Sequence, residues 1–378
     1  RVKTAESWFM KEGRVLPLFT GWCRNFVERA CARRDVCFIY SLLKGSKQMW
    51  PELGEVKRLA ALKKHAERFS TIHGSLPVDL HWEVLQTSRS VFAEAGQQSK
   101  FLPSSSACLQ ASVKKGGALS LFADYDLWGS VRGETARQLG KLRAIANSID
   151  QWRSDMHHKA LFRAYERLED YAGTETFEIP SSVQGCSYTY MVPRALELRV
   201  IAIPEPGKYR IITKGDGYLY SALQPIQGEM LSRWKRHPAS TMLHDDLLSH
   251  VRAMDEAIPE MLWCSVDYEA ATDLLKKFAT EVALEGLEGH QFYELARASL
   301  GHGRAYYKDD LFGEGHNSQV PAIDGQPMGH PLSFPLLCVI NLAVYRCALD
   351  RWVYRVNGSE GRRRRAMRNR LRVNVLVN

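Results

Sequence analysis

Apolar residues recur at three- and four-residue intervals along 56–69 (VKRLAALKKHAERF), with basic residues between them, which predicts an amphipathic helix. Residues 1–100 read mainly as helices of this kind. The Ser- and Gly-rich stretch 102–117 (LPSSSACLQASVKKGG) reads as a loop or boundary, and 130–172 returns to helix. Near residue 180 the texture changes. The run 198–203 (LRVIAI), a PEPG turn and 208–213 (KYRIIT) predict a β-hairpin. A helix is expected over about 221–236, and Asp245 and Asp246 stand where a further helix would begin. The run 261–266 (MLWCSV) reads as a short strand and 272–287 as an amphipathic helix. A Gly-rich loop near 325–331 leads into an apolar helix over about 332–350, and 371–377 (LRVNVLV) reads as a last strand. There is no internal repeat. Strands and helices alternate irregularly, so the expected class is α+β.

Composition changes this picture little. The chain has 378 residues, 45% hydrophobic and 25% charged, enough for a large core. Its net charge of +9, from 51 Lys and Arg against 42 Asp and Glu, favours a polyanionic partner, because each phosphate neutralised releases counterions. Eight cysteines lie at 23, 31, 37, 108, 186, 264, 338 and 347 with no C-x-x-C pair, which argues against a zinc ribbon and for reduced thiols. No uninterrupted run of about 18 apolar residues occurs, so no membrane span is expected. No signal peptide stands at the visible start, and the sequence opens on Arg1 rather than Met, so an upstream segment is expected.

Three constellations carry candidate chemistry. In WCSVDYEAATDLL, Asp267 ends the predicted strand and Asp273 stands at the predicted start of the next helix. Carboxylates at strand ends suit Mg²⁺, a hard ion that takes oxygen ligands; the plain alternative is that both merely cap a turn and a helix. In GQPMGHPLSFPLLCVIN, Gly325 and Gly329 with Pro327 and Pro331 make a loop of unusual backbone shape, and Ser333 and Asn341 are polar positions on an apolar helix. An ordinary loop before a buried helix accounts for Asn341 but poorly for the whole loop. In KYRIITK, alternation places Lys208, Arg210 and Lys214 on one strand face, able to hold a triphosphate or simply to face solvent.

Taken in order, the basic hairpin, the D-x5-D in its AATD context and GQPMGHPLSFPLLCVIN resemble motifs F, A and B of viral RNA-dependent RNA polymerases. The botourmiavirus (ourmia-like), narnavirus and mitovirus group is the nearest in flavour. The resemblance covers about 198–378 and is looser over 1–180, where LPSSSAC…KKGG is the best echo. It implies a right-hand polymerase with fingers and palm: a helical N-terminal region over 1–180, fingers with motif F over 181–260 and a partial palm over 261–378. It implies Asp267 as the catalytic, metal-binding carboxylate for Mg²⁺ or Mn²⁺. Asp273, with Ser333 and Asn341, would read the ribose hydroxyl that separates RNA from DNA precursors. Gly325, Gln326 and Gly329 would form the motif B loop beside the template, and Lys208, Arg210 and Lys214 would hold the incoming triphosphate. The implied partners are an RNA template and product and nucleoside triphosphates. The implied chemistry is attack of a primer 3′-hydroxyl on the α-phosphate between two metals, in the host cytoplasm or, alternatively, the mitochondrion.

One departure stands out. Motif C, usually Gly-Asp-Asp, supplies a further metal-binding carboxylate, and no Gly-Asp-Asp occurs in these 378 residues. The expectation is therefore an incomplete palm without a thumb, inactive as a lone chain. It would be either a segment of a longer protein or one half of a divided polymerase completed by a second polypeptide. Asp245–Asp246 precedes motif A and reads as a helix cap. Tyr307–Asp310 (YKDD) mimics a reverse-transcriptase motif but lies before motif B, and reads as the polar end of a strand. A reverse transcriptase is the rival class, separable by NTP against dNTP incorporation. The basic run 362–365, with Arg368, Arg370 and Arg372, is either a solvated loop or an RNA contact.

Overall fold

The computed structural model describes residues 10–11, 14–15, 22, 25–26, 29, 33, 54–71, 74–93, 101, 104–122, 153–167, 174–180, 187–193, 196–205, 208–242, 251–252, 254, 268, 270–301, 303–313, 315, 317–322, 324–357, 361, 375 and 377. The chain divides into two compact units. One holds Arg1–Arg58 with Ala202–Arg210; the other holds Leu59–Ile201 with Ile211–Asn378.

In the first unit, β1 (Met10–Lys11) and β2 (Arg14–Val15) form a two-residue antiparallel ladder. In the second, the elements alternate as an α+β fold. Helix α1 (Glu55–Ser70), which starts in the first unit, buries Leu62, His65, Ala66 and Phe69, the three-and-four spacing of its apolar face. Pro77, its φ already near helical at −55°, precedes α2 (Val78–Phe92), which buries Val84, Leu85, Val91 and Phe92. Residues 153–167 form α3. Next, β3 (Thr174–Pro180) and β4 (Ser187–Pro193) pair antiparallel from Thr174↔Pro193 to Pro180↔Ser187, a hairpin that the sequence reading did not anticipate.

The expected basic hairpin is present as β5 (Leu196–Glu205) and β6 (Lys208–Lys214). The helical segment expected after it divides into α4 (Gly217–Ala222) and α5 (Gln224–Arg236), with Asp216 capping α4 at the amide of Leu219 and Pro225 in the first turn of α5. Then come α6 (Lys277–Leu284), α7 (Tyr293–Ser299), β7 (Gly303–Tyr306), β8 (Gln319–Ala322) and the long α8 (Ser333–Asn357). The sheet runs β6-β5-β7-β8, with β5 parallel to β7 (Leu196↔Gly303) and β7 antiparallel to β8 (Gly303↔Ala322). A mixed sheet of this kind needs helices to cover it, and Phe69 of α1 meets Leu198 of β5 and Ala322 of β8 in one small apolar cluster.

The main core lies among the helices. Val84, Leu223, Ile226, Trp234, Leu295 and Leu336 are all nearly or fully buried within it. Ion pairs edge this core: Arg351 forks onto Asp79 at 2.6 and 2.7 Å, joining α8 to α2. Ser333–Val356 is long and apolar enough to cross a membrane by length and composition, although Asn341 and Arg346 interrupt its apolar run. With 56% of that stretch buried inside the fold, it sits as a core helix does. Among the described residues Cys108, Cys338 and Cys347 are free and buried.

One expected element starts elsewhere. The helix assigned to 272–287 begins only at Lys277, because 270–275 form turns and the side chain of Asp324 accepts from the Lys277 amide, capping the helix there. The strand assigned to 261–266, Asp245 and Asp246, and the basic run 362–365 lie outside the described residues. Of 371–377, Val375 and Val377 are described. The Val377 amide donates to the Ala239 carbonyl at 2.8 Å, an isolated parallel bridge with Ser240.

Candidate functional site

The loop 324–332 is shaped by glycine where no other residue fits. Gly325 has φ +81°, and a Cβ there would stand 2.6 Å from the Asp273 carbonyl oxygen. Gly329 has φ +122°, and its Cβ would stand 2.5 Å from the Thr213 carbonyl. The close approach is used. The Gln326 amide donates to the Thr272 carbonyl at 2.8 Å, and the Thr213 amide donates to the Met328 carbonyl at 2.8 Å. The loop is thus bonded on one side to the turn that carries Asp273 and on the other to the end of β6, one residue before Lys214.

Side chains lock it further. The Gln326 amide nitrogen donates to Thr280 Oγ1 at 2.7 Å, the Ser333 hydroxyl donates to the Pro327 carbonyl at 3.1 Å, and Asp324 bonds the amides of Gly325 and Lys277. His330 is fully buried, and burial holds its pKa down to about 3, so it is neutral. Its Nδ1 accepts from the Leu332 amide at 3.1 Å, which leaves Nε2–H to donate to Ser299 Oγ at 3.1 Å. Asn341 is half-buried on α8 between the buried Ile340 and Leu342.

Asp273 is 8% exposed and faces a guanidinium and a neutral imidazole, neither of them marked by a motif. Its Oδ2 is 3.8 Å from Arg68 Nη1 and its Oδ1 is 4.0 Å from His65 Nε2, both on α1, while Thr272 Oγ1 donates to Oδ1 at 3.3 Å. His65 Nδ1 in turn lies 2.8 Å from the Tyr307 hydroxyl, just past β7. Burial pushes the Asp273 carboxyl up to about 6, with Arg68 and Thr272 opposing it. Burial and the Arg68 charge hold His65 down to about 3. The turn before Asp273 contains Ala270 at φ +53°, a strained conformation for a residue with a Cβ. A signal for His65 was present: it stands in the Leu62, Ala66, Phe69 series on the buried face of α1, where a histidine needs a partner.

The basic hairpin differs in kind. Lys208 and Arg210 are exposed, and both reach Glu205, the glutamate of the PEPG turn at the end of β5, at 3.8 and 2.6 Å. Lys214 is half-buried. Asp267 lies outside the described residues, so the expected juxtaposition of these cations with it does too. The Ser-rich stretch is docked against the end of the same hairpin. The Leu109 amide donates to the Gly215 carbonyl at 2.9 Å, and the Gly217 amide donates to Gln110 Oε1 at 2.9 Å. Tyr307–Asp310 behaves as the end of a strand: the Asp310 carboxylate accepts from the amides of Gly313 and Gly315 at 2.8 and 2.7 Å and builds the turn beyond β7.

Among the described residues no group of three or more His, Cys, Asp or Glu could hold a metal ion. Asp273 faces Arg68 at 3.8 Å, so the described donors do not fit the expected ion, and Asp267 lies outside the described residues.

No family model matches the chain. A curated protein does. The match is to an RNA-dependent RNA polymerase. It is that of Ourmia melon virus (isolate Melon/Iran/VE9), 31% identical over 178 residues, which cover 42% of this chain and 21% of the viral protein. The matched part therefore spans about a fifth of its relative's length. The similarity is thus to one part of a viral RNA-dependent RNA polymerase.

Proposed function

We propose that these residues form the nucleotide-selecting part of a viral RNA-dependent RNA polymerase that copies a positive-strand RNA genome. The observation that carries this reading is the loop 325–329, bonded through its backbone to both the Asp273 turn and the end of the basic hairpin. Motifs F, A and B of the polymerase pattern would have to meet in this way. In this reading Gly325, Gln326 and Gly329 shape the floor beside the template. Asp273, with Ser333 and Asn341, senses the ribose 2′-hydroxyl, a group that donates and accepts at once. Lys208, Arg210 and Lys214 attract the triphosphate. Asp267 is the catalytic carboxylate for Mg²⁺ or Mn²⁺. The right-hand arrangement, with fingers over 181–260 and palm over 261–378, and a setting in host cytoplasm or mitochondrion belong to the same proposal.

The sequence has no Gly-Asp-Asp, so the 378 residues alone are proposed not to polymerise RNA. An extension assay on a primed RNA template tests this. The lone chain should give no product. The chain combined with a polypeptide that supplies Gly-Asp-Asp should extend the primer with NTPs in preference to dNTPs, and Asp267→Ala should abolish that extension. Preference for dNTPs would favour the reverse-transcriptase reading. Synthesis by the lone chain, lost in Asp267→Ala, would sink the incompleteness argument while keeping the polymerase.

A further inference from the structure

We propose that His65 and Asp273 are the donor and acceptor halves of a site for a single ribose hydroxyl, with Tyr307 and Arg68 as positioning residues that set the His65 tautomer and the charge of Asp273; this rests on the polymerase reading above. The argument starts from the tautomer of His65. The ring is 1% exposed, and burial together with the Arg68 charge keeps it neutral. One ring nitrogen therefore carries a hydrogen and the other a lone pair. Nε2 faces the Asp273 carboxylate at 4.0 Å, and a lone pair there would repel it. The arrangement of lower energy puts the hydrogen on Nε2 and the lone pair on Nδ1. Nδ1 lies 2.8 Å from the Tyr307 hydroxyl, so that hydroxyl must donate to it. The phenol is 1% exposed and burial raises its pKa, so it keeps the proton this role needs.

The relay stops one step short. At 4.0 Å the Nε2–H is too far from Asp273 Oδ1 for a hydrogen bond, and Nε2 has no hydrogen-bond partner although it is buried. A buried donor left unmade is costly, which marks it as a place where a ligand oxygen gains. An oxygen admitted to one side of that line, by a shift that opens the buried Nε2, would come within reach of both groups, accepting from His65 Nε2–H and donating to Asp273. A hydroxyl does both, and a 2′-deoxy sugar has none to offer. Arg68 completes the device from the other oxygen, 3.8 Å from Oδ2. Burial pushes the carboxyl towards protonation, and the guanidinium opposes it. A protonated Asp273 would present a donor to the ribose rather than an acceptor.

Two measurements test this. The first is ¹⁵N NMR of histidine in the full 378-residue chain at neutral pH. His65 should show a protonated Nε2 and a bare Nδ1, and Tyr307→Phe should give a mixture of tautomers in a chain that still folds. A protonated Nδ1 in the wild type overturns the relay. The second is the ratio of kcat/KM for an NTP over the matching dNTP, in the chain completed with Gly-Asp-Asp. Tyr307→Phe and Arg68→Ala should each lower that ratio roughly tenfold, the size of one hydrogen bond, mainly through KM of the NTP. Arg68→Lys should recover most of it. The preference should fail at a higher pH in Arg68→Ala than in the wild type. A ratio unchanged in both variants, or a fall in NTP and dNTP rates alike, overturns the proposal. Absence of template-directed extension by the completed wild type would instead fault the polymerase reading and the ribose assignment with it, leaving the His65 tautomer to be decided by NMR.

Discussion

The loop at 324–332 and the tip of the β5–β6 hairpin are both proposed to handle nucleotide, yet they are held by opposite means. The loop is fixed by backbone: two left-handed glycines, amides donating to Thr272 and Met328 carbonyls, and a buried Gln326 on Thr280. The hairpin tip is held by charge at the surface, with Glu205 shared between Lys208 and Arg210. Backbone contacts of the first kind leave no room for variation, while exposed ion pairs form and dissolve at little cost. A rigid floor and a loosely tethered cationic arm suit different tasks, the one to set register and the other to meet a mobile polyphosphate.

The sharpest way to break this contrast is at the glycines. Gly325→Ala would force a Cβ to 2.6 Å from the Asp273 carbonyl at φ +81°. The expected loss is about 2–4 kcal/mol from strain and clash together. Gly329→Ala, at 2.5 Å from the Thr213 carbonyl, should cost a similar amount. Urea melts of the purified chain measure both, and a loss under about 0.5 kcal/mol for either would show that the loop is not clamped as described.

The same contrast explains what could be read from sequence. LRVIAI-PEPG-KYRIIT announces a hairpin because alternation and a turn are local signals, and the structure has β5 and β6 there. The two glycines of GQPMG announce an unusual loop because the positive φ they carry is a property of the residue itself. What was missed depends on partners distant in sequence. Helix α6 begins at Lys277 rather than 272 because its cap, Asp324, lies 47 residues further on. His65 and Tyr307 stand 242 residues apart, and nothing local in either neighbourhood points to the other. The role of the three cations is ambiguous for a different reason: Lys and Arg on an exposed strand face look the same in sequence whether they meet phosphate, water or a neighbouring carboxylate, as Lys208 and Arg210 meet Glu205.

A second contrast should appear in pH dependence, since desolvated groups titrate far from their usual range. Asp273 is pushed up to about 6 from 3.8, so between those values the native chain binds more protons than the unfolded one, and its stability falls as the pH rises. His65 and His330, held down to about 3 from 6.5, act in the opposite sense. The unfolded chain protonates them first, and stability is lost as the pH falls below about 6.5. With two such histidines against one carboxylate, the wild type should be less stable at pH ~4 than at pH ~7. Asp273→Asn should gain about 1–2 kcal/mol above pH ~6, part of the desolvation cost being offset by its loss of Arg68. His65→Gln should flatten the acid limb. Thermal melts across this range decide it, and an Asp273→Asn curve that only parallels the wild type from pH 4 to 7 would show that the carboxyl titrates normally.

The smallest effect on stability is expected at the hairpin tip. Arg210 is 47% exposed on its side chain, and its 2.6 Å contact with Glu205 is an exposed ion pair. Such pairs contribute about 0–1 kcal/mol, and Lys208 at 3.8 Å remains to hold Glu205 when Arg210 is gone. Arg210→Ala should therefore shift the urea midpoint by less than about 0.5 kcal/mol. If the tip is a triphosphate arm, the same substitution should raise KM for every NTP several-fold, because a phosphate oxygen takes more from a guanidinium than a surface carboxylate does. Glu205→Gln sharpens the comparison. It frees both cations from their internal partner, and it should lower KM if Glu205 competes with phosphate, with the difference fading at high salt as screened charge interactions do. An Arg210→Ala chain that loses stability as the glycine variants do, with nucleotide binding unchanged, would make the tip part of the rigid floor and remove the contrast between the two regions.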